Sequence, residues 1–320
     1  MRFNRVALTW SLAHAPLMAA AFVTPVSKQQ QNHRPSSFFQ VATSPVVETD
    51  ENVLSSSFDA SFVMPDMHLL DSAQLFEGFN LAKTTEVLLE EESPLSESTL
   101  FKALRVLEAW SKTSCPTGAL TSERILRRIQ QEKVDGNPYA VLNERHYSVV
   151  MDAWAKSQHY EAPLRAEAIL AEMESLAKDG DEDTFVQPTR VAYNTVMNAW
   201  QKVGNTTKIA ALMDRMADQI GAQPTTKEYN VMLSAYARNG KARDAEDVLG
   251  KMVELASTNQ DCVPDLISYN CVLDAWSRSS EKGAAQRADE ILQELLRKND
   301  NDNGSDAITP DAISYASVAS

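Results

Sequence analysis

The amino-acid sequence predicts an all-α fold, a solenoid of stacked antiparallel helix-turn-helix repeats. Three observations lead there. A phrase in which Tyr is followed seven residues later by Trp or Tyr recurs four times in the second half of the chain. Each copy is followed by a second apolar pattern of helical spacing. The β-branched alternation that marks strands is missing, and helix formers dominate after about residue 95.

The first 47 residues contain Arg2, Arg5, Lys28 and Arg34 and no acidic side chain. Val6 to Ala21 is a mainly apolar run that ends in Ala19-Ala20-Ala21 before Phe22. That is the plan of a signal peptide, and the run is too short for a membrane span. The stretch from Phe22 to Pro45 is acid-free and rich in Ser, Thr and Gln, like a transit peptide. Residues 1–47 are therefore expected to be a targeting leader, with no membrane association of the mature form. The Ala-Ala-Phe junction resembles the two-part plastid leaders of diatoms and related algae, which implies a plastid destination. A mitochondrial presequence and ordinary secretion are the alternatives.

Residues 48–97 turn acidic and Ser-rich and end in Glu90-Glu91-Glu92 before Leu95. They read as a mostly disordered linker, with room for one or two helices between Leu69 and Leu89.

The repeats follow. The phrase runs from Tyr147 to Trp154, Tyr193 to Trp200, Tyr229 to Tyr236 and Tyr269 to Trp276; a further start lies at Tyr315 and a weaker copy ends at Trp110. Pro188, Pro224, Pro264 and Pro310 each stand five residues before a tyrosine. Tyr193, Val196, Met197 and Trp200 fall at i, i+3, i+4 and i+7, one apolar helix face. A second helix shows the spacing Ala166, Ile169, Leu170, Met173, repeated at Ala245, Val248, Leu249, Met252 and more weakly at Ser122, Ile125, Leu126, Ile129. Neither helix can bury its face alone, so neighbouring pairs must stack. The boundaries are a degenerate repeat over 98–143, full repeats over 144–188, 189–224, 225–264 and 265–310, and the start of a truncated one over 311–320. The extra residues around Asp179–Asp183 and Asn299–Asp306 are polar and acidic, as surface-loop insertions would be.

The first helix of each pair has a second, polar line. With Tyr193 at zero on a helical wheel, Asn194, Asn198 and Lys202 lie near 100°, 140° and 180°. The same line reads Ser148, Asp152, Lys156, then Asn230, Ser234, Arg238, then Asn270, Asp274, Arg278, with Lys112 in the weak copy. Basic residues near a helix C-terminus also complement the helix dipole, worth about 0.3–1 kcal/mol at exposed sites. The dipole alone does not require one phase in every unit, nor an Asn on the same line.

Pro-x-x-x-x-Tyr-Asn, then Val/Met-Met/Leu-x-Ala-Trp/Tyr-x-Lys/Arg, then Ala-x-x-x-Leu-x-x-Met resembles the pentatricopeptide repeat, in a P-type array. The Trp-x-x-Leu-Gly-x-x-Tyr phrase of its nearest rival, the tetratricopeptide repeat, is absent. The resemblance implies a right-handed superhelix that binds single-stranded organellar RNA, about one base per repeat. It also implies action in RNA processing, stability or translation, with other RNA-processing proteins as further candidate partners. In the family the residue after the tyrosine and the last residue of the same unit read the base. Carried over, the pairs are Ser148 with Thr189, Asn194 with Thr225, Asn230 with Asp265, and Asn270 with Asp311. By the family's pattern Asn–Asp pairs favour uracil, Asn194 with Thr225 leans toward a pyrimidine, and Ser148 with Thr189 is assigned no base. Lys112, Lys156, Lys202, Arg238 and Arg278 would hold phosphates, without base preference.

Charge and residue types narrow the remaining classes. The net charge of −14 divides evenly, with 5 basic and 12 acidic residues in 1–100 and 25 and 32 in 101–320. An acidic balance argues against bulk polyanion binding, though not against a local basic stripe. It favours the alternative function, a protein-binding helical scaffold without RNA. Cys115, Cys262 and Cys271 form no Cys-x-x-Cys pair, so neither a zinc site nor a disulfide framework is expected, and a reducing compartment is. His-x-Glu with Cys-x-x-Cys, Gly-rich phosphate loops and nucleophile triads are absent. The chain is read as a non-enzyme without cofactor.

Overall fold

The computed structural model describes residues 75–76, 79–179, 186–301 and 308–319. The leader, most of the acidic linker and most of both acidic insertions lie outside the described residues. A pair of two-residue strands, β1 (Leu75–Phe76) and β2 (Phe79–Asn80), is antiparallel with Leu75 opposite Asn80. All other regular structure among the described residues is helical.

The helices are α1 (Leu81–Glu90), α2 (Glu97–Thr113), α3 (Pro116–Val134), α4 (Glu144–Lys156), α5 (Ala162–Asp179), α6 (Arg190–Lys202), α7 (Thr206–Ile220), α8 (Thr226–Arg238), α9 (Ala242–Ala256), α10 (Leu266–Ser277), α11 (Ala284–Asn301) and α12 (Ala312–Ala319). Each tyrosine phrase is a first helix (α4, α6, α8, α10), and α2 is its weak copy. The start of each is set locally. Pro188, Pro224 and Pro264 are each followed by an N-cap residue, Thr189, Thr225 and Asp265, in extended conformation. These side chains are short and oxygen-bearing, which suits orphan N–H groups at a helix start.

First helices pack on one another in sequence order, α2 to α4, α6, α8, α10 and α12. Each second helix, α3, α5, α7, α9 or α11, lies against its own first helix and the next one. The result is an all-α solenoid of two layers, with closely spaced first helices forming the inner layer. Its core is one continuous cluster. Tyr147, Tyr193, Tyr229 and Tyr269 and the tryptophans Trp154, Trp200 and Trp276 are all buried, together with the Ile, Leu and Met spacing of the second helices. Each such side chain contributes roughly 1.5–3 kcal/mol by leaving water.

Buried Trp and Tyr need partners for their polar ends, and these come from the preceding unit. Trp154 Nε1 donates to Glu123 Oε2 (2.9 Å), Trp200 to Glu167 (3.0 Å) and Trp276 to Glu246 (3.1 Å). Tyr193 Oη donates to Glu174 at 2.6 Å. The carboxylates are held in turn by cations. Arg215 reaches both Glu167 and Glu174, Lys208 reaches Glu167, and Arg287 reaches Glu246.

On the N-terminal side the described part of 48–97 carries one helix, α1, largely within the Leu69–Leu89 stretch where one or two helices had room. Asn80 caps α1, accepting from Lys83 N at 3.0 Å. Leu81 and Leu88 are buried, and Trp110 Nε1 donates to Thr85 Oγ1 at 2.9 Å. α1 thus takes the place that a preceding second helix takes elsewhere. Buried Glu132 on α3 fixes the chain that follows, accepting from Ser93 Oγ, Leu95 N and Asn137 Nδ2.

Candidate functional site

The candidate base-reading residues lie at the start of the first helices, where one unit meets the next. Asn230 is half-buried on α8. Its Nδ2 donates to Asp265 Oδ1 at 3.0 Å, and its Oδ1 accepts from Ser268 Oγ at 2.7 Å. Asp265 is the N-cap of α10 and also accepts from Ser268 N at 2.9 Å. Asn270 on α10 repeats the arrangement, donating to Asp311 Oδ1 at 3.2 Å and accepting from Ser314 Oγ at 2.6 Å. Bonds from Ser314 and Asn270 hold the Asp311 carboxyl below the usual carboxylate range. Two of the pairs expected from the sequence are thus in direct contact.

The other two are not. Asn194 Nδ2 donates to Glu228 Oε1 at 2.7 Å, not to Thr225. Thr225 is turned onto the same carboxylate, through its N (2.7 Å) and its Oγ1 (2.6 Å) to Oε2. Thr189 Oγ1 accepts from Ala192 N at 3.4 Å, and among the described residues no hydrogen bond joins it to Ser148. The cap explains part of the difference, since Asp265 and Asp311 carry a carboxylate and Thr189 and Thr225 do not. The residue three beyond the cap explains the rest. It is Glu228, Ser268 or Ser314 where an Asn is held, and Ala192, a methyl, where Ser148 stands. These third residues were missed in the sequence. The Thr-x-x-Glu capping box at 225–228 was the available signal.

The cations are arranged less uniformly. Lys156 pairs with Asp152 (2.5 Å) and Arg278 with Asp274 (2.8 Å), each one turn back on its own helix. Lys202 Nζ donates to the Ala155 carbonyl near the end of α4 (2.5 Å), which serves the helix terminus. Lys112 and Arg238 stand exposed in the last turns of α2 and α8. Arg238, Asn270 and Arg278 line one cleft of about 410 Å³ between first helices, which also holds Ile267 and Ile313. These two aliphatics are 59% and 61% exposed, and Val191 is 70% exposed. Val191 and Ile267 stand three residues before Asn194 and Asn270, beside the amide and away from the packing face. Because they lie off the apolar face, the helical periodicity that marks the core does not single them out in the sequence.

The cleft, the amides and the cations can together accept a polar, anionic, flat-faced ligand along the inner layer. Among the described residues there is no cluster of three metal-ligating side chains, and no helix is long and apolar enough to cross a membrane.

Fold and site define a helical-repeat protein whose inner layer presents a polar line. Residues 229–255, most of α8 with α9, match the family model described as PPR repeat. No curated protein matches the sequence significantly. Among solved structures, the chain is similar to the crystal structure of the pentatricopeptide repeat protein PPR10 in complex with an 18-nt psaJ RNA element, with 17% identity and a TM-score of 0.35. A triple cysteine-to-serine form of PPR10 with the same element gives the same values. Both matches cover 74% of this chain and 34% of the PPR10 chain, so the chain spans about a third of that protein.

Proposed function

We propose that the chain is a P-type pentatricopeptide-repeat protein that binds single-stranded RNA in a sequence-selective way, without catalysis. The observation behind this reading is the repeated Asn–carboxylate contact at the start of consecutive first helices, 230 to 265 and 270 to 311. A carboxylate fixes the orientation of the amide, and an oriented amide distinguishes base edges that a free one does not. Val191, Ile267 and Ile313 offer apolar faces for the bases, and Arg238 and Arg278 offer charge for phosphates. Following the resemblance in residues, Asn230 and Asn270 select uracil, and Asn194 with Thr225 a pyrimidine. The protein acts in organellar RNA processing, stability or translation, in the plastid, with the mitochondrion as the alternative. A fusion of residues 1–47 to a fluorescent protein distinguishes the two organelles.

Binding to short RNAs tests the central part. Oligo-U is expected to bind more tightly than oligo-A, with affinity falling as salt rises. A preference for oligo-A would sink the base assignment. The second reading, a protein-binding scaffold, is favoured by the net charge of −14 and by the ion pairs that occupy Lys156 and Arg278. Absence of RNA binding at low ionic strength would support it instead.

A further inference from the structure

Three asparagines at equivalent places of consecutive first helices, Asn194, Asn230 and Asn270, each donate Nδ2 to a carboxylate. For Asn230 and Asn270 that carboxylate is the N-cap Asp of the next helix. For Asn194 the N-cap is Thr225, which has no carboxylate, and Glu228 supplies one from three residues further on. Glu228 has no exposed surface. Its Oε1 accepts from Asn194, and its Oε2 accepts from Thr225 N, Thr225 Oγ1 and Arg190 Nη1 (3.0 Å). Burial raises its pKa, but these bonds outweigh burial and hold the carboxyl below its ordinary range. It is therefore an acceptor only, like Asp311.

An acceptor-only partner dictates which end of an amide faces it. At all three sites the nitrogen turns to the carboxylate. The carbonyl end is then taken by Ser268 Oγ or Ser314 Oγ, or, at Asn194, buried without a partner among the described residues. What each amide keeps for a ligand is its second N–H. A lone donor suits the O4 acceptor of uracil and opposes the N4 amino donor of cytosine.

We propose that Glu228 is a specificity-determining residue: it replaces the missing Asp, so that Asn194 selects the same base as Asn230 and Asn270. The inference rests on the RNA-binding reading above and changes its first position, giving three consecutive uracils where residue identity alone gives an unspecified pyrimidine and two uracils. Glu228 does not touch the base and acts by positioning Asn194.

The test is binding of the full chain to a short U-rich RNA in which uracil is changed to cytosine one position at a time. Three adjacent positions are expected to lose roughly three- to tenfold each, the worth of one net hydrogen bond. In Glu228→Ala the loss should shrink to about twofold or less at one of the three positions and stay unchanged at the other two. Thr225→Asp combined with Glu228→Ser transplants the arrangement seen at Asp265 and Ser268 and should keep all three losses, which a merely structural role for Glu228 would not require. Two uracil-selective positions beside one that is indifferent or prefers cytosine would overturn the proposal, and this outcome is read on the unaltered protein even where Glu228→Ala fails to fold. So would unchanged selectivity in a folded Glu228→Ala. Failure to bind any RNA at low salt would instead remove the RNA reading on which the proposal rests.

Discussion

Trp154 donates its indole N–H to Glu123 Oε2 at 2.9 Å, across the joint between two units. Glu123 is 3% exposed and Trp154 fully buried, so neither group has water as a substitute. Replacing Trp154 by Phe keeps most of the apolar volume and leaves a buried carboxylate short of one donor. A cost of about 1–3 kcal/mol is expected. Both carboxylates keep a cation, Glu123 with Arg127 (3.5 Å) and Glu246 with Arg287. The Glu246 side chain, however, is 31% exposed and can take water in place of the indole. The equivalent change Trp276→Phe should therefore cost under about 1 kcal/mol of hydrogen-bond energy. Urea unfolding of the two variants measures the difference; equal losses would show that these ties contribute through packing alone.

The fold was legible because the Tyr-to-Trp spacing and the second-helix spacing both report burial, and burial repeats with the helical period. Pro188, Pro224 and Pro264 were legible as recurring marks ahead of each apolar phrase; that the residues after them, Thr189, Thr225 and Asp265, cap the helices came from the structure. The contacts between units were not legible. Glu123, Glu167 and Glu246 read as ordinary polar residues beside an apolar stripe, since nothing in one helix states which indole the next unit brings near. Glu228 was readable as half of a capping box. That its second oxygen meets Asn194 depends on the spacing between α6 and α8, which only stacking fixes. The folding of α1 was likewise open in the sequence, because it rests on Leu81, Leu88 and Thr85 finding α2.

Acid should unfold the protein through a small set of carboxylates. Glu132 and Glu228 both have folded pKa values below the ordinary one: burial raises each, but donors from Asn137, Ser93 and Leu95 N at one, and from Thr225 and Asn194 at the other, lower it more. The unfolded chain therefore takes up protons first as pH falls. The stabilisation is fully present above the unfolded value of about 4.3 and is lost as pH drops through the lower folded values. Urea midpoints at pH 7 and at pH near 3.5 should differ less in Glu132→Gln than in the unaltered protein. An unchanged difference would exclude Glu132 as a source of the acid sensitivity.

Two glycines should respond in opposite directions to alanine. Gly240, in the turn before α9, has φ +62°, and a Cβ there would meet the Arg278 carbonyl oxygen at 2.9 Å, so both backbone conformation and the next unit resist it. Gly240→Ala is expected to destabilise by about 1–2 kcal/mol or more. Gly250 lies within α9, and a Cβ added there would meet nothing within 4 Å. Gly250→Ala should stabilise by roughly 0.5–1 kcal/mol, as expected for a helix interior. Thermal unfolding of both variants checks the pair.

The basic line divides into cations with different work. Lys202 is bonded to the Ala155 carbonyl, so Lys202→Ala should lower stability and leave the salt dependence of RNA binding nearly unchanged. Arg238 and Arg278 line the cleft beside Asn270, and the surface pair of Arg278 with Asp274 costs at most about 1 kcal/mol to open. If each meets one phosphate, the double change Arg238→Ala with Arg278→Ala removes two contacts from a single strand. The slope of log affinity against log salt should then flatten by about 1.4, at roughly 0.7 per phosphate. Oligo-U and a uracil-poor RNA should weaken by the same factor, because phosphate contacts read no base. A slope that does not move, in a variant that still binds, would leave these arginines as partners of the helix ends and assign the charge that meets RNA elsewhere on the inner layer.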